Sequence, residues 1–254
     1  MEINWKYAGK PVHSFNKLLE LYKPNEFSSP MRSTVPLLAY WRLPEYRIQE
    51  LTNELGFTVG DSISLDFEHE VPVARGRGKP SCTDLKLKSS DIAMCIEAKF
   101  QEPRYEDVTS WLGPGSFNRR EVLQGWLGLL NGYSKRNIGV NDILNLPYQL
   151  IHRAASAYSE HGIKNRWLIY QLFNLDSKKT SMYLKDLREL ATLLGRNSDL
   201  QICLIESCIS PTPNWTKLKR RWENGERNLS KEVLNGLGVG NLLEAQLENV
   251  IIIS

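Results

Sequence analysis

Residues 83–100 read TDLKLKSSDIAMCIEAKF. In the first part, Asp84, Lys86 and Lys88 alternate with Leu85 and Leu87, the period of a half-buried strand. Residues 92–100 are mostly apolar, the texture of a strand in the middle of a sheet. Ser89 and Ser90 supply turn chemistry between them. A two-residue turn at Ser89-Ser90 sets Lys88 opposite Asp91 and Asp84 opposite Cys95. Opposed residues share a face, so Asp84, Cys95, Glu97 and Lys99 share one. Glu97 is then a diagonal neighbour of Asp84, about 7–8 Å away between backbones. A three-residue turn would separate Asp84 from Glu97, so the expectation needs an even turn or a bulge.

Outward from this hairpin, residues 62–73 (SISLDFEHEVPV) also alternate. Ile63, Leu65, Phe67 and Val71 fall on one face and Asp66, Glu68 and Glu70 on the other. The segment 74–80 (ARGRGKP) is a basic, glycine-rich loop. Downstream, 101–117 is a long polar connection containing Trp111. Helices are expected over about 118–132, capped by Asn118, and over about 146–160. RWLIYQLF is a strand, 178–195 an amphipathic helix and LQICLIES another strand. Upstream, residues 1–57 read as mostly helical. One helix starts after Ser14 and stops at Pro24, a second runs through RSTVPLLAYW, and a third lies between Pro44 and Gly56. An antiparallel meander followed by crossover helices implies an α/β fold with a mixed central sheet flanked by helices. The expected organisation is one domain over 1–254: a helical part at 1–57, a core at 58–210 and a C-terminal helical extension at 211–254. NVIIIS at the end reads as a terminal strand or a dimer contact.

Composition sets bounds. The 254 residues are 41% hydrophobic and 24% charged, with a net charge of +3. This excludes a disordered chain, a disulfide-stapled miniprotein and a uniformly basic, histone-like protein. No apolar run reaches the ~18–20 residues of a membrane span. Cys82, Cys95, Cys203 and Cys208 lack C-x-x-C spacing and read as reduced thiols of a cytoplasmic protein. The histidines at 13, 69, 152 and 161 lack metal-ligand spacing.

An acid-x-Lys triplet is weak by itself, and three occur: Asp84–Lys86, Glu97–Lys99 and Asp176–Lys178. Glu97 and Lys99 stand out because they close an apolar strand with an acid across the hairpin. Two carboxylates and the Ala98 carbonyl make a hard oxygen set for Mg²⁺, with Mn²⁺ as a substitute. Such an ion lowers the pKa of a bound water and polarises a phosphoryl oxygen. Lys99 would orient the attacking hydroxide and stabilise charge on phosphorus.

Asp84 and Glu97-Ala-Lys99 in an αβββαβ order resemble the PD-(D/E)XK nuclease superfamily, with its restriction-endonuclease-like fold. Thr83 stands where the family has Pro. The stretch FEHEVPV…TDLKL…IEAKFQEP is similar to prokaryotic restriction-endonuclease-like proteins, and the likeness covers about residues 62–135. It implies metal-dependent phosphodiester cleavage, with Asp84 and Glu97 as metal ligands and Lys99 as catalytic lysine. Duplex DNA is the implied partner, a homodimer the simplest assembly for double-strand cutting, and restriction or phage defence the implied setting. A repair or recombination nuclease and a non-catalytic nucleic-acid-binding module on the same fold are the alternatives.

Glu68 and Glu70 are candidates for a further acid, with Glu50 and Glu54 behind them. Gln124 lies where relatives carry Gln-x-x-x-Tyr, but Gly128 replaces the Tyr. Arg75, Arg77, Lys79, Lys86, Arg119 and Arg120 are candidate phosphate contacts, or else ordinary solvated cations. Trp215 and Trp222 among basic residues read more simply as an amphipathic helix with buried Trp. Trp111 reads more simply as packing than as a base-stacking wedge.

Overall fold

A computed structural model describes residues 1–159, 162–195 and 198–253. The chain builds one eight-stranded mixed sheet in the order β2-β1-β3-β4-β5-β6-β7-β8. The strands are β1 (Glu2–Tyr7), β2 (Lys10–Pro11), β3 (Ser62–Val71), β4 (Ser81–Lys88), β5 (Ile92–Lys99), β6 (Asn165–Phe173), β7 (Leu200–Pro211) and β8 (Leu243–Ile253). The antiparallel meander β3-β4-β5 is present, and β5, β6 and β7 run parallel. Parallel neighbours need long crossovers. Helices α4 (Val108–Leu112), α5 (Phe117–Asn131) and α6 (Tyr148–Tyr158) form the first crossover, and α7 (Ser177–Leu194) the second.

These crossover helices cover one sheet face. There Leu123, Trp126 and Ile151 pack on Leu168, Leu172 and Leu204. The other face is covered by both ends of the chain: α1 (Phe15–Leu19), α2 (Thr34–Trp41), α3 (Pro44–Leu55), α8 (Pro213–Glu223) and α9 (Ser230–Val239). Trp41, Ile48, Leu51 and Trp215 pack there on Leu65, Leu85 and Ile96. Trp215 is thus a core residue, and Trp222 packs beside it.

Several sequence expectations are corrected. Residues 1–57 are not all helical, because β1 extends the sheet, parallel to β3. Its alternation of Ile3, Trp5 and Tyr7 packs against the apolar layer that both chain ends cover. The C-terminal segment is not all helical either. Beyond α8 and α9, β8 closes the far edge as an eleven-residue strand. The cap of α5 is Ser116, whose Oγ accepts the Arg119 N–H at 3.2 Å. Pro24 opens a 3-10 turn rather than ending α1, which stops at Leu19. The end of the helix expected over 146–160, and His161, lie outside the described residues. The caps at Ser14, Pro44 and Gly56 stand as expected. All four cysteines are free thiols.

Candidate active site

The hairpin register is two residues away from the expected one. Leu85 pairs with Ile96, Lys86 with Cys95 and Lys88 with Ala93. The turn therefore falls on Ser90-Asp91, with the Ser89 N–H donating to the Ile92 carbonyl at 2.9 Å. Asp84 faces Glu97, not Cys95. The face survives because an even slip keeps the strand's period of two. In β3, Phe67 pairs with Leu85 and His69 with Thr83, which puts Glu68 level with Asp84. Glu68, Asp84 and Glu97 thus form a row across three neighbouring strands.

The strands part at this row. The paired register of β4 and β5 runs only to Leu85 and Ile96. The Asp84 carboxylate there takes a backbone donor: the Ala98 N–H reaches its Oδ2 at 2.7 Å. In a pleated strand the N–H and C=O of one residue lie on the same edge. The Ala98 carbonyl therefore belongs to the edge that Asp84 occupies.

Glu97 is 2% exposed, and each of its oxygens accepts from a cation. Lys99 Nζ donates to Oε1 at 2.7 Å and Arg153 Nε to Oε2 at 2.5 Å. Burial alone would raise the Glu97 pKa, but Arg153 and Lys99 outweigh it and hold the carboxyl below its usual range. Burial would lower Lys99, but Glu97 and Asp84 hold it above its usual value. Lys99 is therefore an ammonium, suited to stabilising charge rather than removing protons. Asp84 goes the other way: burial, then the Glu97 and Glu68 carboxylates, push it well above the usual range.

Arg153 on α6 is the residue the sequence reading missed. Its Nη1 donates to Ser81 Oγ at 2.9 Å. Ser81 Oγ lies 2.8 Å from His152 Nδ1. Burial, then Arg153 and Lys99, hold His152 well below its usual pKa, so its ring is neutral. The signal was a lone arginine between Ile151 and Ala154 in a buried helical run.

Of the other acids considered, Glu68 belongs to this row. Its φ of +52° breaks the strand alternation. Such a backbone costs on the order of 1–3 kcal/mol in a non-glycine residue and persists where the surroundings impose it. Asp66 and His69, three apart, consequently share a side, with Asp66 Oδ2 2.7 Å from His69 Nδ1. Val71 packs with the crossover helices rather than with Ile63, Leu65 and Phe67, which corrects the expected face. Glu68 accepts from Cys82 Sγ at 3.0 Å, and burial raises its pKa. Glu70 and Glu54 are exposed. Glu50 is engaged elsewhere, by Tyr40 and Arg47.

Among the described residues, three buried side-chain hydroxyls lack hydrogen-bond partners: Tyr22, Thr83 and Tyr183. All three belong to the surroundings of the row. Thr83 adjoins Asp84, Tyr22 feels the charges of Glu68 and Asp84, and Tyr183 those of Lys99 and Glu97. Orphaned buried hydroxyls call for water or an ion. Three His, Cys, Asp or Glu side chains do not converge into a ready metal cage among the described residues. Two carboxylates and a carbonyl suit a hard ion that keeps several waters. The donor set therefore fits a hydrated divalent cation.

The expected phosphate contacts separate into two groups. Lys86 is buried, with Nζ 3.2 Å from His69 Nε2, so it belongs to the interior rather than to a substrate surface. The 74–80 loop seats on α5. Asn118 brackets Arg77 by accepting its N–H at 2.7 Å and donating to its carbonyl at 2.6 Å. A Cβ on Gly125 would meet the Arg75 backbone nitrogen at 2.9 Å. Arg75 pairs with Glu121 at 2.8 Å, and Arg77 and Lys79 are exposed. Arg119, Arg120 and Gln124 are exposed on α5. Arg119 sits over Trp111, which stacks on Tyr148 at 3.6 Å, so Trp111 packs.

Residues 11–214 match the family model described as a domain of unknown function, DUF6946, and the chain belongs to that family. No curated protein and no solved structure matches it.

Proposed function

Starting from membership in a family whose function is open, we propose that this chain is a divalent-ion-dependent nuclease. In this reading its core is the restriction-endonuclease-like αβββαβ arrangement, here α3-β3-β4-β5, the crossover helices and β6. The observation that carries the proposal is the meeting of Asp84, Glu97 and Lys99 where β4 and β5 part. Asp84 lies on the Ala98 N–H at 2.7 Å, and Lys99 on Glu97 at 2.7 Å. Charge supports it as well. A bound dication would draw the protons off Asp84 and Glu68, and the three ionised acids against Lys99 and Arg153 then sum to one negative charge. A divalent cation reverses that to one positive charge, the charge a phosphodiester neutralises.

Asp84, Glu97 and the Ala98 carbonyl would hold Mg²⁺ or Mn²⁺. When bound, such an ion supplies a nucleophilic water and polarises a phosphoryl oxygen. The chain's own groups do the rest. The Ala98 N–H fixes the Asp84 carboxylate, and Glu97 aligns Lys99. The Lys99 ammonium orients the attacking oxygen and stabilises charge building on phosphorus, an effect enlarged by its burial. Arg77, held against α5 by Asn118, and the exposed Lys79 neutralise flanking phosphates. The substrate of this proposal is duplex DNA, a homodimer would supply one site per strand, and restriction or phage defence is the setting.

A second reading, a nucleic-acid-binding module without catalysis, is favoured by one observation: both Glu97 oxygens are already paired with cations. Plasmid DNA with Mg²⁺ or Mn²⁺, wild type against Lys99→Ala, separates the two. Metal-dependent cutting lost in the variant supports the nuclease. Salt-sensitive binding without cutting supports the module. Neither binding nor cutting refutes both.

A further inference from the structure

Arg153 does something the nuclease reading does not require. Its Nε holds Glu97 Oε2 at 2.5 Å, while Lys99 holds Oε1. Each carboxylate oxygen keeps a second lone pair, so the cations do not block a metal outright, but a guanidinium on Oε2 draws off its charge and crowds the approach of a dication. Arg153 comes from a different element, α6, and has other partners to keep: Ser81 Oγ at 2.9 Å and His152 Nδ1 at 3.4 Å. Its guanidinium can therefore release Oε2 and remain hydrogen-bonded.

We infer that Arg153 is a counter-ion latch on Glu97, a positioning residue that occupies the oxygen a divalent cation needs and thereby sets the affinity of the site for that cation. This rests on the reading that Asp84 and Glu97 hold such an ion. The latch weakens metal binding in two ways. It competes for Oε2, and its fixed positive charge repels a dication within a buried, weakly screened cluster. It also keeps Glu97 ionised and ordered, so the site stays assembled when divalent ions are scarce. Metal binding frees the guanidinium beside the position of a phosphodiester, so its charge is then available to substrate.

The test is direct titration of Mn²⁺, read as loss of the free-ion electron paramagnetic resonance signal, on the full chain. Wild type is compared with Arg153→Met, which keeps the packing volume, and with Arg153→Lys, which keeps the charge. Asp84→Asn is the control for the site itself. Arg153→Met should bind Mn²⁺ about tenfold tighter or more, as expected for removing a competing charge from a buried site. Arg153→Lys should stay near wild type. Thermal melts should show Arg153→Met less stable without metal and raised more by saturating Mn²⁺ than wild type is. A residue that merely built the site would move affinity the other way. Weaker or unchanged binding in Arg153→Met, with wild type binding and Asp84→Asn not, overturns the latch alone. Binding by Arg153→Met but not by wild type supports it. Absence of binding in wild type and in folded Arg153→Met overturns the metal site and the latch together.

Discussion

Replacing Glu97 by Gln tests the ion cluster at its centre. Glu97 is 2% exposed and accepts from two charged donors, Lys99 and Arg153, which are 7% and 6% exposed. Gln keeps the shape but removes the charge, and its NH₂ must face one of those donors. Two buried cations then lose their counter-charge. Breaking a buried pair in this way costs about 3–5 kcal/mol. In a chain of this size each kcal/mol moves Tm by about 2–4 °C, so the melt should fall by about 6–20 °C. The assay is urea and thermal unfolding of Glu97→Gln, Lys99→Met and the double variant. The double variant should be more stable than the sum of the single losses predicts, with a coupling of about 0.5–3 kcal/mol. A Glu97→Gln chain melting within about 2 °C of wild type, where the cost above predicts several times more, would refute the reasoning.

Asp84 should behave in the opposite way. Its folded pKa is raised above the unfolded value, so the folded state holds more protons and stability falls as pH rises through that window. Asp84→Asn, which keeps an oxygen for the Ala98 N–H, should therefore be as stable as wild type or more so at pH 7–8. Glu97 is held low, so its contribution is present at neutral pH and is lost as pH falls through its depressed value. Melts of both variants against wild type from pH 4 to 8 check these signs. Gly125→Ala should cost about 1–3 kcal/mol by pushing Arg75 off α5, and limited trypsin digestion should then cut at Arg75 or Arg77 faster than in wild type. Arg77→Ala and Lys79→Ala should leave the melt unchanged and each reduce the salt slope of DNA binding by about one ion.

The parts of the site set by strand period were legible in the sequence. Glu97 and Lys99 end an apolar strand, and alternation put Asp84 on their side even though the turn is at Ser90-Asp91 rather than Ser89-Ser90. Parity survives a two-residue slip, while the opposing partner does not. Glu68 was one acid among several because its selection depends on a φ of +52° that no alternation encodes. Arg153 was hidden because helical periodicity predicts burial of a face and says nothing about which distant carboxylate meets it. Lys86 looked like a surface lysine because its partner His69 is brought to its side of the sheet only by the break at Glu68. β1 is poorly legible although Ile3, Trp5 and Tyr7 alternate, since a parallel partner more than fifty residues away leaves no local signal.

The measurement closest to the central claim is metal-dependent cleavage of plasmid DNA by wild type and Asp84→Asn, with the melts of both recorded on the same preparations. Wild type should cut with Mg²⁺ or Mn²⁺ and stop on chelation. Asp84→Asn should melt no lower than wild type and show no cutting, because the group that costs stability is the one that holds the ion. Cutting by Asp84→Asn at the wild-type rate, or no cutting by wild type with either ion, would contradict the proposed site.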